Sequence, residues 1–512
     1  MTLARTRAVA VLGVAGHVVE VEAHLAQGLP GLTLIGLPDT SLSEARERVK
    51  AAVINSGEPW PQHRITVNLS PASLRKSGSG YDLALAICVL AAAQRVDPRW
   101  VADLVLIGEL GLDGQVRPVR GVLPAVLAAV AAGAERVAVP RANAVEAAVV
   151  PGIRVVAVGS LTELLAILRC EIPVPDLPEA PEVSPERLDT LDLAEVAGQP
   201  EARYALEIAA AGAHHLFLHG PPGSGKTMLA ERLPGLLPVL TRTQAVEVTA
   251  IHSVAGQLPA DVSLIRRPPF RAPHHTSSTA AVVGGGSGLA RPGAASLAHH
   301  GVLFLDEAPE FAKGVVDGLR QPIESGRLTL DRSRGAVHYP ARFQLIMAAN
   351  PCPCGLATTS TQCRCSAMRQ RSYVGRLSGP LMDRIDLMVR VPQPTRADLL
   401  DGLAGESTAT VAARVSEARD RAASRWAGTP WQSNAHVPGS VLRGPTWRLA
   451  PGDLSCLYSD LARGALSARG VDRVLRVAWT LADLAGKDRP QAPEVGLALE
   501  LRQAAVLPGL AA

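Results

Sequence analysis

The sequence predicts an α/β fold with two α/β domains followed by a helical C-terminal domain. Three observations lead to this class. Short β-type runs alternate with amphipathic runs up to about residue 392, a proline-rich segment (IPVPDLPEAPEVSP, residues 172–185) interrupts them, and the chain beyond residue 393 turns helical and rich in arginine. We therefore expect a first domain at residues 1–170, a linker at 171–187, a second domain at 188–393 and a helical domain at 394–512.

Composition narrows the class of function. Apolar residues make up 47% of the 512 residues but aromatic residues only 3%, so a row of aromatics that stacks on many bases is excluded. A net charge of +4 permits a nucleic-acid partner without requiring one. No apolar run is long enough to cross a membrane, and seven cysteines in so long a chain favour a reducing compartment. We expect a cytoplasmic protein with no membrane partner.

The first domain reads as alternating strands and helices. Residues 8–25 and 32–37 are predicted to form strands, residues 41–56 a helix with one apolar face, and residues 65–69 another strand. A helix at 81–93, a single strand at 104–110, and helices at 121–132 and 161–168 follow, with strands at 137–139 and 155–158 between the last two helices.

The second domain contains a phosphate-binding loop. The pattern G-x-x-x-x-G-K-T is formed without a gap by Gly220, Pro221, Pro222, Gly223, Ser224, Gly225, Lys226 and Thr227. An apolar strand at 214–219 precedes the loop and a helix at 227–233 follows it, which is the context that turns backbone N–H groups and a helix N-terminus toward phosphates. We expect Lys226 to bind the β- and γ-phosphates of ATP, Thr227 to bind Mg²⁺, and Met228 to border the nucleotide.

Polar residues end two further apolar strands of this domain. Residues 302–305 (VLFL) lead into Asp306 and Glu307, and residues 343–349 lead into Asn350. Because ligands bind at the carboxyl ends of parallel strands, these side chains should meet the phosphate-binding loop. Asp306 is expected in the Mg²⁺ shell, Glu307 as the group that orients or deprotonates the attacking water, and Asn350 as a second contact to that water.

Several motifs together resemble those of AAA+ ATPases: GPPGSGKT, VLFLDE, IMAANP and SGPLMDRIDL. The segments RAPHHTSSTAAVVGGG and PGAASLAHHGVLFLDE resemble the magnesium-chelatase-like branch, and essentially the whole chain is similar to the YifB/ComM family. The resemblance implies an AAA+ core with a C-terminal helical lid. It also implies that Arg384 is an arginine finger acting on a neighbour's nucleotide in a ring, which in this family is usually a homo-hexamer.

The resemblance further implies that Arg469 is the sensor-2 arginine of the lid, although Arg473 and Arg476 on the same predicted helix are alternatives. Residues 324–340 are themselves predicted to form a β-hairpin, with Leu328 and Leu330 before a turn near residues 333–335 and Val337 and Tyr339 after it. The resemblance implies a helix-2 insert at residues 266–293, and it implies that the insert and the hairpin both face the pore of related rings. Three hairpin arginines would then contact DNA phosphates non-specifically and with a dependence on salt: Arg327, Arg332 and Arg334. The alternative is a hairpin tip that is only solvated.

The N-terminal domain resembles the Lon-type protease fold through RKSGSGYD (residues 75–82) and GELGLDGQVRPVRG (residues 108–121). Aligned without gaps, the position of the Lon serine falls on Gly80 and that of the lysine on Leu123. A serine without a base is a weak nucleophile, so we interpret the domain as non-catalytic. A shifted dyad that uses Lys76 with Ser77 or Ser79 is the alternative.

Four cysteines follow Asn350 as C-x-C and C-x-C, and they are Cys352, Cys354, Cys363 and Cys365. Four thiolates this close in sequence suit a tetrahedral structural Zn²⁺ site, and free thiols or a redox-sensitive cluster are the alternatives. The remaining cysteines, Cys88, Cys170 and Cys456, lie among apolar residues and are expected in the core.

These features favour an ATP-driven ring motor that acts on single-stranded or branched DNA, as a helicase or in branch migration during recombination of incoming DNA. One alternative is a protein-remodelling or regulatory ATPase without a DNA role. Another is a chelatase-type motor subunit that drives metal insertion into a porphyrin, although the N-terminal domain is not expected there.

Overall fold

The structure is a computed structural model that describes residues 2–36, 40–74, 76, 78–177, 191–259, 262–286, 290–332, 335–355, 363–396, 398 and 405–503. Two mixed or parallel sheets are flanked by helices, and the C-terminal region is helical, so the predicted α/β class is confirmed. No helix within the described ranges is both long enough and apolar enough to span a bilayer.

The N-terminal half is built on a seven-stranded sheet. Its strands and the small hairpin beside it are β1 (Thr2–Leu12), β2 (Ala15–Ala26), β3 (Gly31–Ile35), β4 (Arg64–Ser70), β5 (Leu104–Leu106), β6 (Glu109–Leu110), β7 (Val116–Arg117), β8 (Arg136–Pro140) and β9 (Arg154–Val158). The order is β3-β4-β2-β1-β5-β8-β9, and β6 pairs with β7. The helices are α1 (Thr40–Asn55), α2 (Asp82–Ala92), α3 (Pro98–Val101), α4 (Val122–Ala131), α5 (Ala144–Ala147) and α6 (Leu161–Leu168).

The single strand expected at residues 104–110 is wrong, because the chain leaves the sheet after Leu106. The Gly108 N–H donates to Gly80 O at 3.0 Å, and Gly108 O accepts from the Leu83 N–H at 3.2 Å. Both bonds tie Gly108 to the start of α2, which is buried along its whole length. The backbone groups that would continue the ladder are therefore used elsewhere.

The second half contains a five-stranded parallel sheet. Its strands and two small hairpins are β10 (Leu216–His219), β11 (Phe270–Arg271), β12 (Gly284–Gly285), β13 (Arg291–Pro292), β14 (Val302–Leu305), β15 (Arg327–Arg332), β16 (Gly335–Pro340), β17 (Gln344–Ala349) and β18 (Leu387–Arg390). The sheet order is β11-β14-β17-β10-β18. Every residue of β14 and β17 is buried, as expected for strands covered on both faces.

The helices around this sheet are α7 (Pro200–Gly212), α8 (Lys226–Leu236), α9 (Arg242–Ala255), α10 (Thr279–Val282), α11 (Ala294–Leu297), α12 (Lys313–Gly318), α13 (Arg320–Ser325), α14 (Ala367–Val374) and α15 (Gly379–Met382). The C-terminal helices are α16 (Thr408–Arg425), α17 (Gly439–Leu442), α18 (Ser455–Ala462), α19 (Ala468–Leu484) and α20 (Ala492–Gln503). Trp426, Trp447 and Trp479 pack together among them, and this core is continuous with α7 and one face of the parallel sheet.

The N-terminal domain contacts the second domain at two places. Helix α4 packs against α9, where the Gly121 N–H donates to Ser253 O at 3.3 Å and the Ser253 hydroxyl donates to the buried carboxylate of Glu146. The turn between β1 and β2 reaches the β15–β16 hairpin, since a Cβ added to Gly13 would lie 2.7 Å from Val337 Cγ1. The N-terminal domain therefore supports both α9 and the hairpin.

Of the three cysteines expected in the core, Cys88 is buried, Cys456 is half-buried and Cys170 is exposed. The expectation for Cys170 is wrong because this residue follows the last turn of α6 with φ of +59°, where the chain turns away from the domain. An apolar sequence neighbourhood at a helix end does not by itself bury a side chain.

Candidate nucleotide site

The phosphate-binding loop connects β10 to α8 as predicted. Gly223 and Gly225 have φ of +72° and +90°, a left-handed conformation that glycine adopts at little cost. A Cβ on Gly220 would lie 2.0 Å from Val391 O, so that position has room only for glycine. The loop backbone is thereby curled at the N-terminus of α8, where peptide N–H groups bind anions.

Lys226 lies under this loop and is 7% exposed. Its Nζ donates to Gly220 O and Pro221 O, both at 2.8 Å, and to Asn350 Oδ1 at 3.2 Å. Burial lowers the pKa of the ammonium, while the carboxylates of Asp306 and Glu307 oppose that shift. A buried cation held by neutral oxygens is ready to bind an incoming anion.

The residues expected to bind Mg²⁺ meet directly. The Thr227 hydroxyl donates to Asp306 Oδ2 at 2.8 Å, although the two residues are 79 positions apart in sequence. The second oxygen of Asp306 accepts from the Glu307 N–H at 2.9 Å, which orients the carboxylate. A hydroxyl and a carboxylate beside a phosphate site are the oxygen ligands that Mg²⁺ takes, so the residues fit the ion.

Glu307 is next to this group, but its carboxylate contacts a residue that sequence reasoning missed. Nδ1 of His275 lies 3.1 Å from Glu307 Oε2, and the two side chains are 31% and 46% exposed. Glu307 itself has φ of +51°, an uncommon conformation for a residue with a side chain. The signal was present in the sequence as the histidine pair in RAPHH after β11, but nothing in the spacing connected it to Glu307.

Arg384 and Arg469 lie together at the opposite edge of the sheet. Both line a cavity of about 640 Å³ that also includes His215, Gly301 and Gln344. These last three residues come at or just before the starts of β10, β14 and β17, whereas the phosphate-binding loop follows the end of β10. Neither arginine is therefore placed at this chain's own phosphate-binding loop.

Arg384 is 6% exposed, and its guanidinium donates to the carboxylate of Glu324 and to Pro380 O. Arg469 is exposed at the start of α19. The two alternatives on that helix are engaged within the chain, because Arg473 Nη1 donates to buried Asp386 Oδ1 at 2.9 Å and Arg476 Nε donates to Val437 O at 2.7 Å. Among the three, the structure leaves Arg469 facing solvent.

The predicted hairpin is present as β15 and β16, paired from Arg327 opposite Pro340 to Arg332 opposite Gly335. One face is buried, and its side chains are Leu328, Leu330, Val337 and Tyr339. Arg327 is exposed, whereas the side chain of Arg332 and the whole of Arg334 lie outside the described residues.

Residues 284 and 290, in the segment expected to be a helix-2 insert, pack against this hairpin. The Tyr339 hydroxyl donates to Ala290 O at 2.7 Å, and a Cβ on Gly284 would lie 2.9 Å from Leu330 Cδ1. Because Gly284 is in β12 and β12 pairs with β13, the insert and the hairpin form one packed unit.

The four cysteines predicted as a zinc site come together. Their sulfur atoms all lie within 4.8 Å of one another, with Cys352 Sγ 3.7 Å and Cys354 Sγ 3.6 Å from Cys363 Sγ. Tetrahedral Zn–S bonds of about 2.3 Å place sulfurs about 3.8 Å apart, so the thiols fit the ion.

A second group of metal-ligand type contains Glu247, His299 and His300, but His299 Nδ1 accepts from the Arg342 N–H at 3.0 Å. A neutral His299 then carries its proton on Nε2, which suits its bond to Glu247 rather than a metal.

The N-terminal domain does not assemble the shifted dyad from its described residues. The Ser79 hydroxyl donates to Glu109, and the Nζ of buried Lys76 donates to Pro71 O. Ser77 lies outside the described ranges. At the two aligned positions, Gly80 O accepts from the Gly108 N–H, and Leu123 is a buried apolar residue.

Comparison with known proteins assigns the chain to a family. Models described as magnesium chelatase subunit ChlI, and as its C-terminal part, match residues 192–399, 21–143 and 405–502. Competence protein ComM of Haemophilus influenzae is 40% identical over 509 residues, covering 98% of both chains, and YifB of Escherichia coli K12 is 41% identical over 489 residues, covering 95% of this chain and 94% of YifB. The chain belongs to the YifB/ComM family.

Other members and more distant proteins agree with this assignment. An uncharacterized member from Mycobacterium tuberculosis H37Rv is 53% identical over 503 residues, covering 98% of this chain and 99% of that protein. The Lon protease of Trichlorobacter lovleyi is 25% identical over 174 residues, which are 32% of this chain and 21% of the protease. Membership of this magnesium-chelatase-like AAA+ family supports an ATPase that uses ATP and Mg²⁺ and an oligomeric assembly.

Proposed function

We propose that this YifB/ComM protein is an ATP-hydrolysing ring motor that acts on DNA, as a helicase or in branch migration when incoming DNA recombines. The observation that carries the DNA role is the β15–β16 hairpin, which buries one face and exposes the other, including Arg327. By sequence, residues 324–340 carry three arginines against Glu324 and Asp331, and a hairpin with excess positive charge suits the phosphate backbone of DNA whatever the base sequence. The name of the Haemophilus relative, competence protein ComM, is consistent with this role.

In the proposed reaction, Lys226 and the N–H groups between Gly220 and Thr227 bind the β- and γ-phosphates. The ion held by Thr227 and Asp306 spreads the charge that develops on the transferred phosphoryl group. Glu307 orients or deprotonates the attacking water, and Asn350 contacts that water from the neighbouring strand end. Support comes from the convergence of Thr227 with Asp306 and of Lys226 with Asn350.

We assign Arg384 and Arg469 to the nucleotide of an adjacent protomer. Both lie at the edge of the sheet where the strands begin, and their own phosphate-binding loop lies at the other edge. Two different faces that meet between neighbours make a heterologous interface, which forms a ring when the rotation between protomers closes. A homo-hexamer is the proposed ring, and Arg384 would exchange Glu324 for the neighbour's γ-phosphate.

The packed unit of insert and hairpin offers a physical route between DNA and hydrolysis. The hairpin packs on β12 through Leu330, and β12 follows α10, the helix directly after the loop that contains His275. His275 in turn contacts Glu307. A displacement of the hairpin by DNA would therefore reach the group that acts on water.

The experiment that tests the function is the ATP turnover rate of the purified protein alone, with single-stranded DNA, and with a four-way junction, each at low and high salt. We expect stimulation by DNA that is lost at high salt, because phosphate contacts release counterions. Arg327→Ala should reduce the stimulation. Arg463→Ala is the matched control, since Arg463 is an exposed arginine paired with Asp460 on the lid.

A rate that no DNA changes would refute the DNA role and favour the protein-remodelling alternative. In that case candidate protein substrates would be added to the same assay. Stimulation by DNA with equal effects of Arg327→Ala and Arg463→Ala would keep the motor but remove the hairpin as its DNA contact.

A further inference from the structure

The cysteine cluster borders the nucleotide site on one side. Cys352 is two residues beyond Asn350, whose Oδ1 accepts from Lys226 Nζ. Gly355 ends the first half of the cluster, and a Cβ there would lie 2.8 Å from Pro222 Cγ in the phosphate-binding loop. The Gly355 N–H also donates to Cys352 O at 3.0 Å. The first two cysteines are thus in a tight turn that packs directly on the loop.

The other half of the cluster begins the segment that leads to Arg384. Cys365 precedes Ser366, the N-cap residue of α14, and Gln370 Nε2 donates to Cys365 O at 3.2 Å. The buried Tyr373 anchors α14, and α15 follows before Arg384. A metal bound by all four sulfurs would join the end of β17 to the start of α14.

The sulfur atoms differ in accessibility. Cys352 is buried, Cys354 is exposed and Cys363 is half-buried. The Sγ atoms of exposed Cys354 and half-buried Cys363 lie 3.6 Å apart, close enough for one to attack the other once oxidised. Cys352 Sγ is nearer to Cys354 Sγ, at 3.1 Å, but Cys352 is buried and lies only two residues away in the chain. Zinc-bound thiolates remain nucleophilic, and exposed ones react first with peroxide.

We propose that the four cysteines form a zinc clamp on the nucleotide site, and that peroxide opens the clamp and stops ATP turnover. The Cys354 thiolate attacks hydrogen peroxide, which gives a sulfenic acid and hydroxide. The Cys363 thiolate then attacks the Cys354 sulfur, so that an S–S bond forms and a second hydroxide leaves. The two sulfurs lose two electrons, peroxide gains them, and Zn²⁺ with only two thiolates remaining is released.

Loss of the zinc clamp should lower ATP turnover because it changes the positions of groups at the candidate nucleotide site. Without the ion, the turn that ends at Gly355 is no longer held in its packing against Pro222. Asn350 is then less well fixed, because Cys352, two residues beyond it, is no longer bound to the metal. Loss of the outer-shell residues that orient metal ligands typically costs about 10- to 100-fold in activity, and we expect a loss of turnover of the same order here. The inference rests on the proposed nucleotide site but not on the DNA role.

The test treats the reduced, zinc-loaded full-length protein with increasing hydrogen peroxide. Released zinc is measured with a chromogenic chelator, free thiols by titration, affinity with a fluorescent ATP analogue, and turnover without DNA. We expect one zinc per chain to leave as two thiols disappear, with turnover and affinity falling in step. Thiol reductant plus zinc should restore all four readouts.

A double variant, Cys170→Ser with Cys456→Ser, removes two cysteines outside the cluster and should respond as the unchanged protein does. Cys354→Ser removes a zinc ligand, so it should bind less zinc and turn over ATP slowly even in reductant, with no further loss when peroxide is added. If that variant fails to fold, the test depends on the unchanged protein alone: reductant plus zinc must restore its zinc content, thiols, affinity and turnover after peroxide treatment. Zinc release with unaltered turnover and affinity would overturn the clamp, and so would a purified protein with no zinc. If the reduced, zinc-loaded protein shows no turnover at all, the proposed ATPase activity is refuted. The effect of peroxide on the affinity for the fluorescent ATP analogue would then be the test of the clamp.

Discussion

The assignment of Arg384 to a neighbour's nucleotide makes a quantitative prediction. Arg384→Ala should leave ATP binding unchanged, because the guanidinium lies at the sheet edge opposite the phosphate-binding loop. An arginine finger is worth about 10³–10⁵ in turnover, or about 4–7 kcal/mol of the barrier, so the variant should be nearly inactive. Its former partner Glu324 is 51% exposed and remains hydrated, so the protein should stay folded.

The assay that isolates a neighbour's role is a mixture of two inactive variants. Arg384→Ala keeps the phosphate-binding loop, and Lys226→Ala keeps the arginine. Suppose that rings assemble at random from equal amounts of the two variants. An interface works only if the protomer that binds the nucleotide is Arg384→Ala and the neighbour that supplies the arginine is Lys226→Ala. The chance is one half times one half, so about a quarter of the interfaces should work, whatever the ring size.

Turnover near a quarter of the unchanged protein's rate is therefore expected after the two variants are mixed and reassembled. A mixture as inactive as its components would refute a shared site, provided that both variants assemble normally by light scattering. Loss of nucleotide binding by Arg384→Ala alone would also contradict the geometry. Arg463→Ala, which removes an exposed arginine paired with Asp460 in the C-terminal helices, should behave as the unchanged protein does.

Three further predictions concern the site and its stability. Lys226→Ala should abolish turnover and the rise in melting temperature that ATP and Mg²⁺ cause, and near-normal turnover would refute the nucleotide site. His275→Ala should raise basal turnover at most about fivefold, the limit for a partly exposed pair, by freeing Glu307; a large loss would instead make His275 essential to the reaction. Acid should destabilise the protein between pH 6.5 and 4, because burial lowers the pKa of several histidines to about 4 in the folded state only. Each of these histidines contributes to the free energy of unfolding fully above pH 6.5, and that contribution falls by about 1.4 kcal/mol per pH unit as the pH drops from 6.5 toward 4. A free energy of unfolding from denaturant titrations that does not change over this pH range would contradict the prediction. These histidines are His215, His219, His252 and His299.

Local pattern was sufficient for much of the fold. The strand before Gly220, the strand before Asp306 and the strand before Asn350 are all present in the structure within two residues of their predicted bounds. Their apolar runs specify buried parallel strands, and parallel strands end at one edge. Local pattern failed at residues 104–110, where bonds from Gly108 to Gly80 and Leu83 end the strand.

The hairpin shows the same limit. The positions of Leu328, Leu330, Val337 and Tyr339 predicted its two strands, but its contact with Gly13 of the N-terminal domain depends on packing between distant segments. No property of residues 324–340 alone indicates that contact.

The sequence by itself predicted the chemistry of the candidate nucleotide site, because the residues expected to bind phosphate and Mg²⁺ lie in short motifs whose backbone geometry is local. Only the tertiary structure decided which groups those motifs meet. His275 contacts Glu307 across 32 positions, Gly355 packs on Pro222 across 133, and Arg384 shares a cavity with Arg469 at the edge away from its own loop. Such contacts depend on how strands and helices that are far apart in the sequence pack against each other, and the spacing of residues within a motif does not predict that packing.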